Sequence, residues 1–155
     1  MSNTASSSGV MAGKKGLIMG VANDRSIAWG IAAKLAEQGA ELAFTFQGEA
    51  LQKRVEPLAA SVGSHLVIPC DVTDEASMDA TFDALKEKWG SLDFVLHAIA
   101  YSDKEELKGG YVDTSRDNFA RTMDISVYSF TDVARRAAAM MNDGGSMLTL
   151  TYYGA

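Results

Sequence analysis

The residues that follow Gly20 could bind a phosphate group, because Gly20 ends an apolar run and a helix is predicted to begin at Ser26. Unpaired backbone N–H groups and a partial positive charge at a helix N-terminus attract anions. The spacing G-x-G-x-x-G, which brings the backbone close to a pyrophosphate, is absent, since Ala22 and Arg25 stand at its second and third glycine positions. On spacing alone, the turn suits phosphate binding and an ordinary strand-to-helix connection equally well.

Alternating strands and helices are predicted to position this turn. Apolar runs predict five strands, at residues 16–20, 41–46, 65–70, 92–98 and 146–152. Helices are predicted between them, at residues 26–39, 48–62, 73–89 and 115–141, with an irregular loop at 101–113. This alternation predicts right-handed crossovers and an α/β fold, a doubly wound parallel sheet of the Rossmann type that binds ligands at the carboxyl ends of its strands.

The composition excludes several classes of protein. The chain has 155 residues and a net charge of −6 without a block of Lys or Arg, which argues against nucleic acid and anionic membranes as partners. No run approaches the 18 apolar residues of a transmembrane helix. The single cysteine, Cys70, excludes an internal disulfide and a Cys-rich zinc site, so we predict no metal and a reducing, cytoplasmic setting. We expect one domain at residues 13–155, after a disordered tail at 1–12 that is no secretion signal.

Several segments together resemble one known family. They are 20–22 with 26–30, then 39–47, 70–72, 124–130 and 148–155. In this order and spacing, residues 13–155 resemble the bacterial NADH-dependent enoyl-[acyl-carrier-protein] reductases, a divergent branch of the short-chain dehydrogenase/reductase superfamily. The resemblance implies an oxidoreductase of fatty acid biosynthesis that reduces a trans-2-enoyl thioester on acyl carrier protein with NADH. It also implies a homotetramer with an interface on the helix at 115–141.

The resemblance implies that seven residues bind the cofactor. They meet its pyrophosphate and riboses, its adenine and its nicotinamide, and they are Gly20, Ser26, Ile27, Gln47, Asp71, Val72 and Ile99. Gln47 would meet the adenosine ribose, and residues 47–49 contain no cation for a 2′-phosphate, which favours NADH over NADPH although Lys53 and Arg54 follow in the next helix. By position alone, Asp71 could instead be an acidic residue that precedes a helix N-terminus.

The resemblance also implies substrate and catalytic residues. Ser102 would contact the acyl substrate, and Tyr152 matches the accessory tyrosine of the family, whose principal tyrosine would come ten residues later, followed by a lysine. We therefore expect the parent protein to be an active enzyme and the 155-residue chain, as a truncated form, to be inactive. Tyr153 is predicted to be structural, because neighbours on a strand face opposite sides.

The fourth predicted strand ends in a departure from the family pattern His-Ser-Ile-Gly. Ala98 and Ala100 replace its serine and glycine, and the extra methyl group of Ala100 would narrow the space beside the nicotinamide. His97 is a lone histidine on an apolar strand, so we interpret it as a hydrogen-bonded core residue and not as a ligand. In the loop that follows, Lys104 and Lys108 are candidates for docking the acidic acyl carrier protein.

Two alternative functions stay open on the sequence. One is a different short-chain reductase that acts on a carbonyl group, for which the sequence beyond residue 155 would show Tyr-x₃-Lys in place of Tyr-x₆-Lys. The other is a dinucleotide-binding sensor without turnover, since a dinucleotide-binding fold does not by itself fix a function.

Overall fold

The computed structural model describes residues 9–153 and confirms the α/β doubly wound fold. Five strands form one parallel sheet in the order β3-β2-β1-β4-β5. The strands are β1 (Lys15–Met19), β2 (Glu41–Phe46), β3 (Leu66–Pro69), β4 (Leu92–His97) and β5 (Met141–Thr149). The helices are α1 (Ile27–Glu37), α2 (Glu49–Ser61), α3 (Glu75–Trp89), α4 (Arg116–Met123) and α5 (Ser129–Ala138).

Each face of the sheet carries its own apolar core. Successive side chains of a strand point to opposite faces, so in β1 Leu17 and Met19 pack in the core that includes α3 and α5 residues, while Ile18 packs in the core against α1 and α2. All three side chains are fully buried. Burial on both faces explains why the strands have continuous apolar sequences rather than alternating ones.

The fifth strand differs most from its predicted position. It begins at Met141 and ends at Thr149, whereas the sequence predicted residues 146–152. The preceding helix ends at Ala138, so Gly144 and Gly145 lie inside the strand and do not end the helix. The register against β4 shifts there, and Gly144 has a φ of 76°, a combination typical of a bulge.

The predicted helix at 115–141 is divided in two. Between α4 and α5, Asp124–Tyr128 forms one turn of π-helix, in which each N–H bonds five residues back. The predicted irregular loop at 101–113 contains two short 3₁₀ turns, Lys104–Leu107 and Tyr111–Asp113. The other boundaries lie within two residues of their predicted positions, and β2 matches its prediction at both ends.

The part of the expected tail that the structure describes is ordered against the domain. Residues 9–12 form a turn in which the Met11 N–H donates to the carbonyl of Gln38 at 3.0 Å, and the Met11 side chain packs on the core beneath α1. Residues 1–8 lie outside the described part of the chain. Among the helices at 9–153, none combines the length and apolar character needed to cross a membrane.

Candidate functional site

A cavity of about 510 Å³ lies where the central strands end. The residues after β1, β2, β3 and β4 line it, and α4 with the π turn closes its other side. The carboxyl edge of a doubly wound parallel sheet is where such folds bind ligands. Of the residues predicted to bind a cofactor, five line this cavity: Gly20, Gln47, Asp71, Val72 and Ile99.

The turn after β1 requires glycine at its first position. Gly20 has a φ of 102°, and a Cβ atom there would collide with the backbone carbonyl oxygen of Ala98 after β4. Only a residue without a side chain allows the two strand ends to approach so closely. Gly20 therefore fixes the floor of the cavity between the central strands.

Ser26 immediately precedes α1, one residue before the helix begins, and its hydroxyl bonds backwards into the turn. The Ser26 Oγ accepts hydrogen bonds from the N–H groups of Ala22 at 3.0 Å and Asn23 at 3.1 Å, and it does not cap the helix. Ile27 follows with a side chain that is 68% exposed. Ser26 is bonded to the lining residue Ala22, but neither Ser26 nor Ile27 is itself part of the cavity lining.

Asp71 presents an ionised carboxylate at the end of β3. Its Oδ1 accepts hydrogen bonds from the N–H of Thr73 at 2.9 Å and from the Thr73 hydroxyl at 2.7 Å. These bonds lower the pKa of Asp71, and the Gln47 side chain and the charge of Arg121 add to the effect. Val72, half-buried beside it, packs on the core. A hydrogen-bond acceptor and an apolar surface thus lie side by side, as recognition of a planar heterocycle requires.

The segment after β4 forms the opposite wall and is held by the π turn. Ser126 binds both backbone groups of Tyr101, accepting from its N–H at 3.0 Å and donating to its carbonyl at 3.2 Å. Ile99 and Ala100 line the cavity just before this point. The π turn therefore fixes the distance between this wall and the helix.

Ser102 and Tyr152 do not line the cavity. The Ser102 hydroxyl accepts hydrogen bonds from Asn118 at 3.2 Å and Thr122 at 3.3 Å, which directs it towards α4. Tyr152 and Tyr153 both follow the end of β5 and have exposed side chains, that of Tyr152 at 95%. Because neither tyrosine lies in the strand, the alternation of side chains between the two faces of a sheet does not distinguish them. A catalytic role for Tyr152 stays a prediction.

The interpretation of His97 as a core residue is confirmed. Its ring is fully buried, with Nδ1 at 3.0 Å from the Thr149 hydroxyl and Nε2 at 2.8 Å from the Ser129 hydroxyl. Burial lowers the pKa of His97, so the ring is neutral near pH 7. Within residues 9–153, His, Cys, Asp and Glu side chains nowhere form a group of three that could hold a metal ion.

Among the lining residues that the sequence did not single out, three lie on α4 and the π turn: Arg121, Asp124 and Ile125. Asp124 and Ile125 begin a segment that carries the family resemblance, and Arg121 precedes Ile125 by four residues. Positions four apart share one helix face, so this spacing was a usable signal for Arg121.

Comparison with known proteins decides the family. The family model described as Enoyl-(Acyl carrier protein) reductase matches residues 20–155. The chain belongs to this enoyl reductase family. It is 71% identical over 151 residues to "Enoyl-[acyl-carrier-protein] reductase [NADH] 1" of Rhizobium meliloti, an alignment that covers 97% of this chain and 56% of that protein.

Solved structures of enoyl reductases have the same fold. FabI from Candidatus Liberibacter asiaticus superposes with a TM-score of 0.92 at 58% identity, covering 94% of this chain and 57% of that one. The Anaplasma phagocytophilum reductase, solved in complex with NAD, gives a TM-score of 0.90 at 59% identity, with 94% and 55% covered. The chain thus spans about half the length of the curated relatives and solved structures that it matches.

Proposed function

We propose that this chain forms the cofactor-binding part of an NADH-dependent enoyl-[acyl-carrier-protein] reductase of fatty acid biosynthesis. The observation that carries the proposal is the convergence of Gly20, Gln47, Asp71 and Ile99 on one cavity at the carboxyl edge of the sheet. Family membership supports the reaction class, and relatives named as NADH enzymes support the cofactor. When bound, NADH would supply the hydride that reduces the carbon–carbon double bond of the enoyl thioester.

The lining residues suit an adenine dinucleotide. In this proposal the Asp71 carboxylate accepts a hydrogen bond from the adenine amino group, and Val72 packs on the ring. Gly20 allows the pyrophosphate to approach the backbone, and Ser26 and Ile27 flank it at the N-terminus of α1. Ile99 packs beside the nicotinamide ring. The methyl group of Ala100, which lines the same wall, narrows this part of the cavity.

The preference for NADH follows from the charges around Gln47. This residue lines the cavity at the end of β2, where a 2′-phosphate would require a nearby cation. Lys53 and Arg54 are exposed on α2 and do not line the cavity. We therefore propose that Gln47 bonds the free ribose hydroxyls of NADH.

In this proposal the acyl group binds beyond Ala100, towards Ser102. Tyr152, which follows β5, lies near the acyl group in the full-length protein. Acyl carrier protein is the proposed protein partner, and Lys104 is its better contact of the two candidates. Lys108 is paired with Glu105 at 2.9 Å, whereas Lys104 forms no ion pair among residues 9–153.

We further propose a cytoplasmic homotetramer. Four large apolar side chains on α4 and the π turn are about half exposed: Phe119, Met123, Val127 and Tyr128. Apolar side chains so exposed on one helical segment suit a contact between copies of the chain. Light scattering of the full-length protein should give four copies, and Val127→Asp should produce smaller species.

The full-length gene product tests the enzymatic proposal. We expect it to oxidise NADH only when an enoyl thioester such as crotonyl-acyl carrier protein is present, and Asp71→Asn to weaken NADH binding by about tenfold through loss of a charged acceptor. Asp83→Asn, an exposed carboxylate on α3, is the matched control and should leave binding unchanged. Turnover of a carbonyl substrate instead of the enoyl thioester, or NADH binding without any turnover, would refute the proposal and favour the two alternative functions respectively.

A further inference from the structure

Negatively charged side chains outnumber positively charged ones in the cavity lining. Asp71 and Asp124 contribute carboxylates, and Arg121 is the one cationic residue in the lining that the structure describes. The pyrophosphate of a dinucleotide brings about two further negative charges close to these carboxylates, and like charges repel each other. The proposed ligand therefore needs a positive group that only Arg121 supplies from the lining.

The turn after β1 offers the pyrophosphate few free backbone donors. The N–H groups of Ala22 and Asn23 donate to the Ser26 hydroxyl, and that of Arg25 donates to Asn23 Oδ1 at 2.8 Å. The N–H of Ser26 itself donates to the Asn23 carbonyl at 3.2 Å. In a glycine-rich turn such groups face the phosphates. Here the turn uses them internally, so a side-chain donor has more to contribute.

Arg121 is placed to be that donor. Its guanidinium carbon lies 4.8 Å from the centre of the Tyr101 ring at the cavity wall. Stacking on an aromatic face leaves all five N–H donors of a guanidinium available. Within residues 9–153, the Arg121 guanidinium forms no hydrogen bond or ion pair with another side chain or a backbone carbonyl, in contrast to Arg136, which binds three carboxylates. Its charge also helps to lower the pKa of Asp71, although the bonds from Thr73 have the larger effect.

We propose that Arg121 anchors the pyrophosphate of the bound dinucleotide, donating from its guanidinium to a phosphate oxygen while the Tyr101 ring supports it. The inference rests on the proposed function, because it assumes a dinucleotide in this cavity. It assigns to α4 a binding residue one helical turn before Ile125.

Calorimetric titration of the full-length protein with three ligands tests the proposal. NADH and ADP carry the pyrophosphate, whereas adenosine carries only the base and ribose. For Arg121→Gln we expect affinity for NADH and ADP to fall by about tenfold or more and affinity for adenosine to stay within about twofold, as for loss of one charge-assisted hydrogen bond. Arg121→Lys should recover part of the loss, because it restores the charge without the planar donors. The affinity of the Gln variant for ADP should also depend less on salt than that of the wild type.

Arg116→Gln is the matched control, because this exposed arginine begins the same helix and does not line the cavity. It should bind all three ligands as the wild type does, with both variants unfolding near the wild-type temperature. Equal losses of affinity for adenosine and ADP in Arg121→Gln, or unchanged ADP affinity, would overturn the role of Arg121 and leave the proposed function in place. Failure of the wild-type protein to bind NADH and ADP would instead overturn the proposed function, and this inference with it.

Discussion

Acidification below about pH 6.5 should destabilise the protein through His97. The Ser129 hydroxyl donates to the Ile125 carbonyl at 2.6 Å, so its oxygen is left to accept from His97 Nε2. Nδ1 must then accept from the Thr149 hydroxyl. A second proton on the ring would have to displace that bond inside a site where the ring is fully buried. The neutral ring, with its proton on Nε2, is the form that the fold accommodates.

The sign and size of the effect follow from the lowered pKa. An unfolded chain protonates His97 at its ordinary pKa, while the folded chain resists until a lower pH, so stability is full above about pH 6.5 and declines as the pH falls towards the folded pKa. From about pH 7.5 to about pH 5.5, one such group removes up to about 1.4 kcal/mol from the free energy of unfolding.

Urea unfolding at fixed protein concentration, repeated across this pH range, measures the effect. The protein has two histidines, and His65 is exposed, which makes His65→Gln the matched control. His97→Gln should be less stable at neutral pH and should lose most of the pH dependence, whereas His65→Gln should retain it. If His97→Gln keeps the wild-type slope, the carboxylates cause the pH dependence and the reasoning about the buried ring is wrong.

Two further substitutions test a close approach at the site and an ion pair elsewhere in the fold. Gly20→Ala should lower the free energy of unfolding by about 2 kcal/mol or more and abolish NADH binding, because a methyl group there collides with the Ala98 carbonyl. Gly63→Ala is the control, since Gly63 also has a positive φ, 77°, but open space around it. It should show only the cost of the backbone conformation, about 1–2 kcal/mol in chemical denaturation. Arg136→Met should cost about 1–3 kcal/mol by the same measurement, because it removes one of the two arginines bonded to the buried Asp132 carboxylate while Arg135 keeps its bond at 2.7 Å. A loss below about 0.5 kcal/mol would show that the Arg136 pair is not effectively buried.

The sheet was predictable where each segment's own residues determine its structure. The strand β2 is an apolar run between a glycine turn and Gln47, and its bounds match. The predicted bounds of β5 were wrong because Asn142 and Asp143 have low strand propensity, and Gly144 and Gly145 are typical of a helix end. A tertiary contact overrides both signals, since the Asn142 side chain donates to Asp93 Oδ1 at 3.0 Å and aligns the start of β5 with β4.

The site was predictable to a similar degree, and for a related reason. Gly20, Gln47, Asp71 and Ile99 lie at or just beyond strand ends, and the topology of a parallel sheet brings strand ends together whatever the details of packing. Arg121 lies on a helix, where only the rotation of that helix decides which residues face the cavity. Side-chain contacts across the whole domain set that rotation, so the four-residue spacing indicates Arg121 only once Ile125 is placed at the cavity.

The π turn shows how much of the site depends on such contacts. Its extra residue changes the rotation of the chain between α4 and α5, and three contacts depend on that rotation. Ile125 lines the cavity, Ser126 binds both backbone groups of Tyr101, and Ser129 meets the buried ring of His97. A regular α-helix would place these side chains about 100° apart per residue and could not keep all three contacts with α4 and α5 in their present positions. The same turn therefore determines the wall of the cavity and the environment of the histidine, which is why a substitution at His97 tests the geometry of the site as well as the stability of the fold.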